Sequence, residues 1–291
     1  MEEKIFDTEF FKKLNTLKLS LHMRLNQGMS GIRKSSTKGN SVEFSDFREY
    51  MPGDDVRKID WNAYGRMDKL FIKEFMEEKE GIFYIFIDTS MSMSFGAASK
   101  SKMALQIAGA LSYIILNNLD RVYINAVKED SLMTGKGLTG RNAFRRILTD
   151  LEGFDFLGKT SLSQAIRSRD IRGNGVAIII SDFLDPLGIE DGIRYLKYKK
   201  QDVILIQILA KEETEIQMEG MVNLLDIETG ENVKITMSKT AIQKYFEQLK
   251  ALHSKLEQMS KRYQMQYLLV RSDESLEQVL LEGMNGWFRK G

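Results

Sequence analysis

The sequence predicts an α/β protein whose mostly parallel central sheet is covered by helices on both faces. Three observations carry that expectation. Apolar runs of strand length recur along the chain, which is how a strand buried on both faces reads. Between them lie segments with apolar residues three and four apart, the period of an amphipathic helix. The run Ile85-Phe86-Ile87 also breaks abruptly into Asp88-Thr89-Ser90-Met91-Ser92. That places oxygen-bearing side chains where a buried strand becomes a loop, the place where ligands collect in open α/β folds.

The elements follow in order. Residues 7 to about 27 carry Phe10, Leu14, Leu17, Leu21 and Leu25 at helical spacing, predicting an amphipathic helix. Residues 28–42 are rich in Gly, Ser and Lys and predict a loop. Residues 43–68 interleave aromatics, arginines and aspartates without clear period, with a turn at Pro52-Gly53-Asp54, where Gly tolerates a positive backbone angle. Leu70 to Met76 predicts a strand leading towards the one that ends at Asp88. From Lys102 to Leu119, Met103, Ile107, Leu111 and Ile115 share one helical face beside Ala108, Gly109 and Ala110, small residues that let a helix lie close on a sheet.

Further strands are expected at 121–127, 175–181, 202–210 and 265–270, and helices at 141–152, 161–169, 189–199, 238–262 and 274–289. A hairpin is expected at 221–236, around Thr229-Gly230. The helix at 238–262 puts Phe246, Leu249, Leu252 and Leu256 on one stripe, which reads as core packing. This alternation of strands and helices is what predicts the parallel sheet. The expected organisation is an N-terminal helix and aromatic, arginine-rich extension over 1–79, packed on a core over 80–291.

Composition narrows the function. The 291 residues are 43% hydrophobic, enough for a sizeable core. Lys plus Arg number 42 and Asp plus Glu 41, a formal charge of +1 that gives no global attraction to nucleic acid or an acidic membrane. No cysteine is present, which removes disulfides, thiolate zinc sites and thiol nucleophiles. The start, MEEKIFDTEFFKKL, does not read as a secretory signal, and no apolar run approaches the roughly 20 residues of a membrane span. A cytoplasmic protein without a direct membrane span is expected. The two histidines, His22 and His253, read as surface or boundary residues, which argues against histidine-based acid/base catalysis. Of the sixteen methionines, Met91 and Met93 flank Ser92 in a turn that looks exposed.

The chemistry-bearing residues fall after strand ends: Asp88, Ser90 and Ser92 in a first loop, Thr160 in a second, and Asp182 after Ile179-Ile180-Ser181 in a third. Oxygen-only donors without His or Cys select a hard cation, Mg²⁺ or Mn²⁺. At these residues the chain resembles the von Willebrand factor A domain, with its Rossmann-like core. The metal-ion-dependent adhesion site of that family is Asp-x-Ser-x-Ser, then Thr, then Asp. The resemblance implies that Ser90, Ser92 and Thr160 touch the metal while Asp88 and Asp182 act largely through water. Neutral hydroxyls leave most of the ion's charge uncompensated, so an open coordination position favours a carboxylate from a partner.

A narrower resemblance covers about residues 30 to 291. Phe44, Arg48-Glu49-Tyr50, Pro52-Gly53-Asp54-Asp55, Arg57, Ile59-Asp60-Trp61 and Arg66 look like the signature of the domain-of-unknown-function family fifty-eight, which carries an A domain directly after it. That resemblance implies a protein encoded beside a MoxR-type AAA ATPase and acting as its binding partner or substrate adaptor. Read from the residues themselves, the same charges form a salt-bridge network with Trp61 as its apolar anchor.

A competing motif is Gly153-Phe154-Asp155-Phe156-Leu157-Gly158-Lys159-Thr160, which matches the Walker A pattern and offers the rival reading of a nucleotide-binding or metal-dependent hydrolase. A phosphate-cradling loop must follow a strand, whereas 141–152 reads as a helix, and Phe154, Phe156 and Leu157 are bulky where backbone amides need open approach. An aspartate phosphatase is disfavoured too, because Ser90 stands where its general acid is required. The expectation is therefore a non-enzymatic, metal-dependent protein-binding domain.

Overall fold

The computed structural model describes residues 4–16, 38–67, 69–76, 80–185, 188–216, 220–225 and 232–287. The chain divides into two compact units, one of residues 1–22 with 81–290 and one of 23–80.

The larger unit is built on a six-stranded sheet. Its strands are β3 (Ile82–Asp88), β4 (Arg121–Lys128), β5 (Ser131–Thr134), β6 (Gly175–Ser181), β7 (Gln201–Leu209) and β10 (Gln266–Arg271), in the spatial order β10-β7-β6-β3-β4-β5. All neighbours are parallel except β5, which returns antiparallel on β4. This is the expected fold class, and the strands lie within a residue or two of the predicted spans. The short edge strand β5 was not anticipated, since three of its four residues are exposed and no apolar run marks it.

Period two divides the sheet between two cores. Ile85, Ile87, Ile178, Ile180, Ile206 and Ile208 face one layer, formed by α1 (8–16), α3 (Lys100–Asn117), α4 (Phe144–Glu152) and α9 (Leu276–Trp287). Tyr84, Phe86, Ala177, Ile179, Val203 and Leu205 face the other, formed by α5 (Leu162–Ser168), α6 (Glu190–Tyr198) and α8 (Lys239–Arg262). Only the second half of α8 joins this core, through Leu256 and Met259, while Phe246 and Leu249 stay half-buried. The predicted hairpin is present as β8 (Gly220–Leu225) and β9 (Asn232–Met237), and its turn, with Thr229-Gly230, lies outside the described residues. Among those residues no helix is long and apolar enough to cross a membrane.

The helix predicted over 7–27 is described over 8–16, where Phe10 and Leu14 are buried; Leu17, His22 and Leu25 lie outside the described residues. Asp7 accepts from the Phe10 amide at 2.7 Å and starts the helix. Gly109 of α3 makes room for Phe6, just ahead of this helix, and for Leu148 of α4, because a Cβ there would sit 2.9 Å from the Phe6 ring and 3.3 Å from Leu148. Gly109→Ala gains about 1 kcal/mol of helix propensity but overpacks the contact by about 1–3 kcal/mol. We expect a net loss of about 1 kcal/mol by urea unfolding, recovered when Phe6→Leu is added. A stabilised single variant would mean that Phe6 does not hold that position.

The smaller unit pairs β1 (Lys38–Glu49) antiparallel with β2 (Phe71–Met76), with register shifts on the way. β1 corrects the expected loop over 28–42: from Lys38 onward, cross-strand pairing overrides the weak strand propensity of Gly and Ser. Gly53 takes φ +107 in the predicted turn. Arg48 grips Asp54 through two bonds of 2.6 Å, Asp55 caps the 3-10 turn Val56–Lys58 and pairs with Arg57, and Asp60 caps α2 (Trp61–Met67) by accepting from Asn62 at 2.9 Å. Two of the expected ion pairs are therefore present, while Asp60 serves as a helix cap. The apolar anchor is not Trp61, which is 63% exposed and meets Tyr64 edge-on, but Ile59 and Ile72.

Candidate metal centre

β3 and β6 are neighbours in the sheet, so the residues that end them, Asp88 and Ser181-Asp182, emerge side by side at the carboxyl edge. The first loop leaves β3 as a 3-10 turn over Met91–Ser94. The second loop is stitched to it: the Met91 amide donates to the Gly158 carbonyl at 2.9 Å, and the Leu157 amide to the Thr89 carbonyl at 3.0 Å. Gly158 holds φ +69, open to glycine at little cost. Two non-glycine residues with positive φ flank the site, Glu129 after β4 and Phe183 after Asp182. Positive φ is not confined to the site, since Leu119, Lys200 and Gln264 hold it after α3, α6 and α8.

The structure brings all five expected residues together. The Thr160 hydroxyl donates to Asp88 Oδ1 at 2.7 Å, and the Ser90 amide donates to the same oxygen at 3.0 Å. Ser90 Oγ and Ser92 Oγ stand 3.0 Å apart, and Ser92 donates to Asp182 Oδ2 at 2.8 Å. An octahedral Mg²⁺ with bonds of about 2.0–2.1 Å separates adjacent ligand oxygens by about 2.9 Å, so the serine pair already has the spacing of one coordination edge. The donor set, three neutral hydroxyls backed by two carboxylates, fits a hard cation.

The site is deeply buried. Asp88, Ser90 and Asp182 are 3%, 3% and 1% exposed, so the carboxylates are not surface groups and the site is a set of loops closed over them. Burial, with the nearby Asp182 charge adding to it, pushes the Asp88 carboxyl above the usual carboxylate range, against hydrogen bonds from Ser181, Ser90 and Thr160. Met93, expected to be exposed, is fully buried in the core next to α3.

Two side chains that hold the carboxylates in place escaped the sequence reading. Ser181 donates to Asp88 Oδ2 at 2.6 Å while accepting from the Phe183 amide at 2.8 Å, fixing both the carboxylate and the third loop. Lys100, wholly buried, donates to Asp182 Oδ2 at 2.8 Å and to Glu213 Oε1 at 2.7 Å. Burial works against its ammonium, but the charges of Asp182 and Glu213 and the bonds to both hold its pKa above the ordinary lysine value. Glu213, from α7 (Lys211–Thr214), also accepts from the Ala210 amide at 2.7 Å. The available signal was positional: α3 opens on Lys100 with no acidic residue in its first turn, a cation at the helix end that repels one unless it is paired.

The Walker-like segment follows the helix α4, and Phe154 and Phe156 pack on the core. Its glycine and threonine are spent on the loop stitch and on Asp88. His253 is half-buried on α8, where burial lowers its pKa.

Residues 46–256 match the family described as Protein of unknown function DUF58. The chain is 27% identical over 233 residues to an uncharacterised protein of Mycobacterium bovis, covering 78% of this chain and 73% of that one, and is equally similar to an uncharacterised protein of Mycobacterium tuberculosis. Among solved structures it is similar to the conserved hypothetical protein BatB of Bacteroides thetaiotaomicron, with TM-score 0.45 and 14% identity over 71% of this chain and 98% of that one. It is also similar to an aerotolerance-related membrane protein of Bacteroides fragilis, with TM-score 0.42 and 16% identity over 70% and 99%.

Proposed function

The chain belongs to the DUF58 family, and we propose that it is a protein-binding domain that captures an acidic side chain of its partner through a bound Mg²⁺ or Mn²⁺. One observation carries the reading: three hydroxyls from two loops converge on two buried carboxylates, with the serine oxygens 3.0 Å apart. Ser90, Ser92 and Thr160 would hold the ion, and Asp88 and Asp182 would orient them and the ion's water. Such a site supplies a Lewis-acidic position poorly neutralised by its own ligands, which a partner carboxylate completes. The partner proposed is a MoxR-type AAA ATPase, from the family resemblance in the extension and the first loop.

The hydroxyls contribute no base, and both carboxylates are engaged by hydrogen bonds, which favours binding over turnover. The test is a pull-down from lysate in Mg²⁺ and in chelator, with wild type and Ser92→Ala/Thr160→Ala as baits. An AAA ATPase retained only by wild type with Mg²⁺ is the expected result. Equal retention by both baits, or in chelator, would remove the metal from the contact.

A further inference from the structure

Lys100 lies outside the five residues of the cation site, yet its ammonium and the Ser92 hydroxyl bond the same oxygen, Asp182 Oδ2, each at 2.8 Å. A lysine with no exposed surface at that point is a fixed positive charge inside the site. Its second partner, Glu213, is tethered independently, one oxygen on Lys100 and the other on the Ala210 amide. The adjacent Glu212 accepts from the Ala97 amide at 3.0 Å, tying α7 to the segment that leads from the first loop into α3.

Resting on the proposed cation-binding reading, we infer that Lys100 and Glu213 form a positioning pair that sets the site's affinity for its divalent cation. Lys100 neutralises one carboxylate's worth of charge beside the ion, and Glu213 returns it. With Asp88, Asp182, Glu213 and Lys100 ionised, the cluster carries a net charge of about −2, and a divalent ion feels each added or removed charge strongly at low local dielectric. That charge matches the dication's only while Lys100 and Glu213 are both in place, so losing either one alone shifts the balance by a full charge beside the ion. A partner carboxylate that fills an open coordination position is linked to the ion, so the partner tightens the cation as much as the cation tightens the partner.

The test is a charge cycle on the full chain near neutral pH, with free Mn²⁺ followed by electron paramagnetic resonance and folding checked by cooperative unfolding. Glu213→Gln should weaken Mn²⁺ binding about tenfold and Lys100→Met should strengthen it about tenfold. The double variant, which restores the net charge, should return to within about threefold of wild type, a rescue that lost packing alone does not produce. Wild-type binding with Glu213→Gln and the folded double variant both unchanged from it, or a double variant weaker than either single one, would overturn the role of the pair alone. A wild type that binds no Mn²⁺ would overturn the cation-binding reading with it. If Lys100→Met does not fold, the comparison of Glu213→Gln with the double variant still decides.

Discussion

Asp88→Asn is expected to weaken Mg²⁺ or Mn²⁺ binding by about 10–100-fold, the usual cost of losing a residue that orients ligands from behind, while leaving the fold close to wild type. The asparagine oxygen can still accept from the Ser90 amide and the Thr160 hydroxyl, which share one carboxylate oxygen in the native site. On the other side, the new NH₂ group meets Ser181 Oγ, and the serine hydroxyl can turn to accept. What disappears is the negative charge. Asp88→Ala is a different experiment. It strips a residue that is 3% exposed and leaves the Ser181 and Thr160 hydroxyls and the Ser90 amide without their acceptor. At about 1–3 kcal/mol for each buried group left unsatisfied, a large part of the stability could go with the metal site. Calorimetric titration with Mn²⁺ beside urea unfolding separates the two variants. An asparagine variant that binds Mn²⁺ as tightly as wild type would show that the Asp88 charge does not serve a cation.

The contrast shows where the sequence was informative. A strand buried on both faces has to be apolar throughout, so β3, β6 and β7 announced themselves, and the change to Asp-x-Ser-x-Ser marked the end of β3 to the residue. Asp182 was legible because the loops after strand ends converge in such a fold, so a position along the chain implied a position in space; Thr160, whose loop follows the helix α4, was legible through the A-domain resemblance. Depth was not legible. Nothing in Ser90-Met91-Ser92-Met93 says that Met93 turns into the core, since loop and 3-10 backbone lack the fixed period that sorts faces in helices and strands. Strand β1 was missed for a related reason: its first residues are Gly, Asn and Ser, and it exists through pairing with β2, not through local preference.

The partners of Lys100 were not legible because they are remote: Asp182 lies 82 residues away and Glu213 lies 113. A lysine beside Ser99 and Ser101 reads as the solvated start of a helix, and only the third dimension shows it sealed between two carboxylates. That burial sets the second large expectation. In chelator, where no cation complicates the reading, Lys100→Met should cost about 3–5 kcal/mol, because removing one partner of a buried ion pair strands the charge it neutralised. Here two carboxylates are stranded, Asp182 at 1% exposure and Glu213 at 13% side-chain exposure. The methionine also fills roughly the volume that the lysine stem vacates, so cavity formation contributes little. Adding Glu213→Gln should recover part of the loss by removing one stranded charge. Urea unfolding reads both variants as shifts in midpoint at constant slope. If Lys100→Met were as stable as wild type, the ammonium would not be neutralising the carboxylates in the folded chain, and the native charge balance at the metal loops would have to be drawn without it.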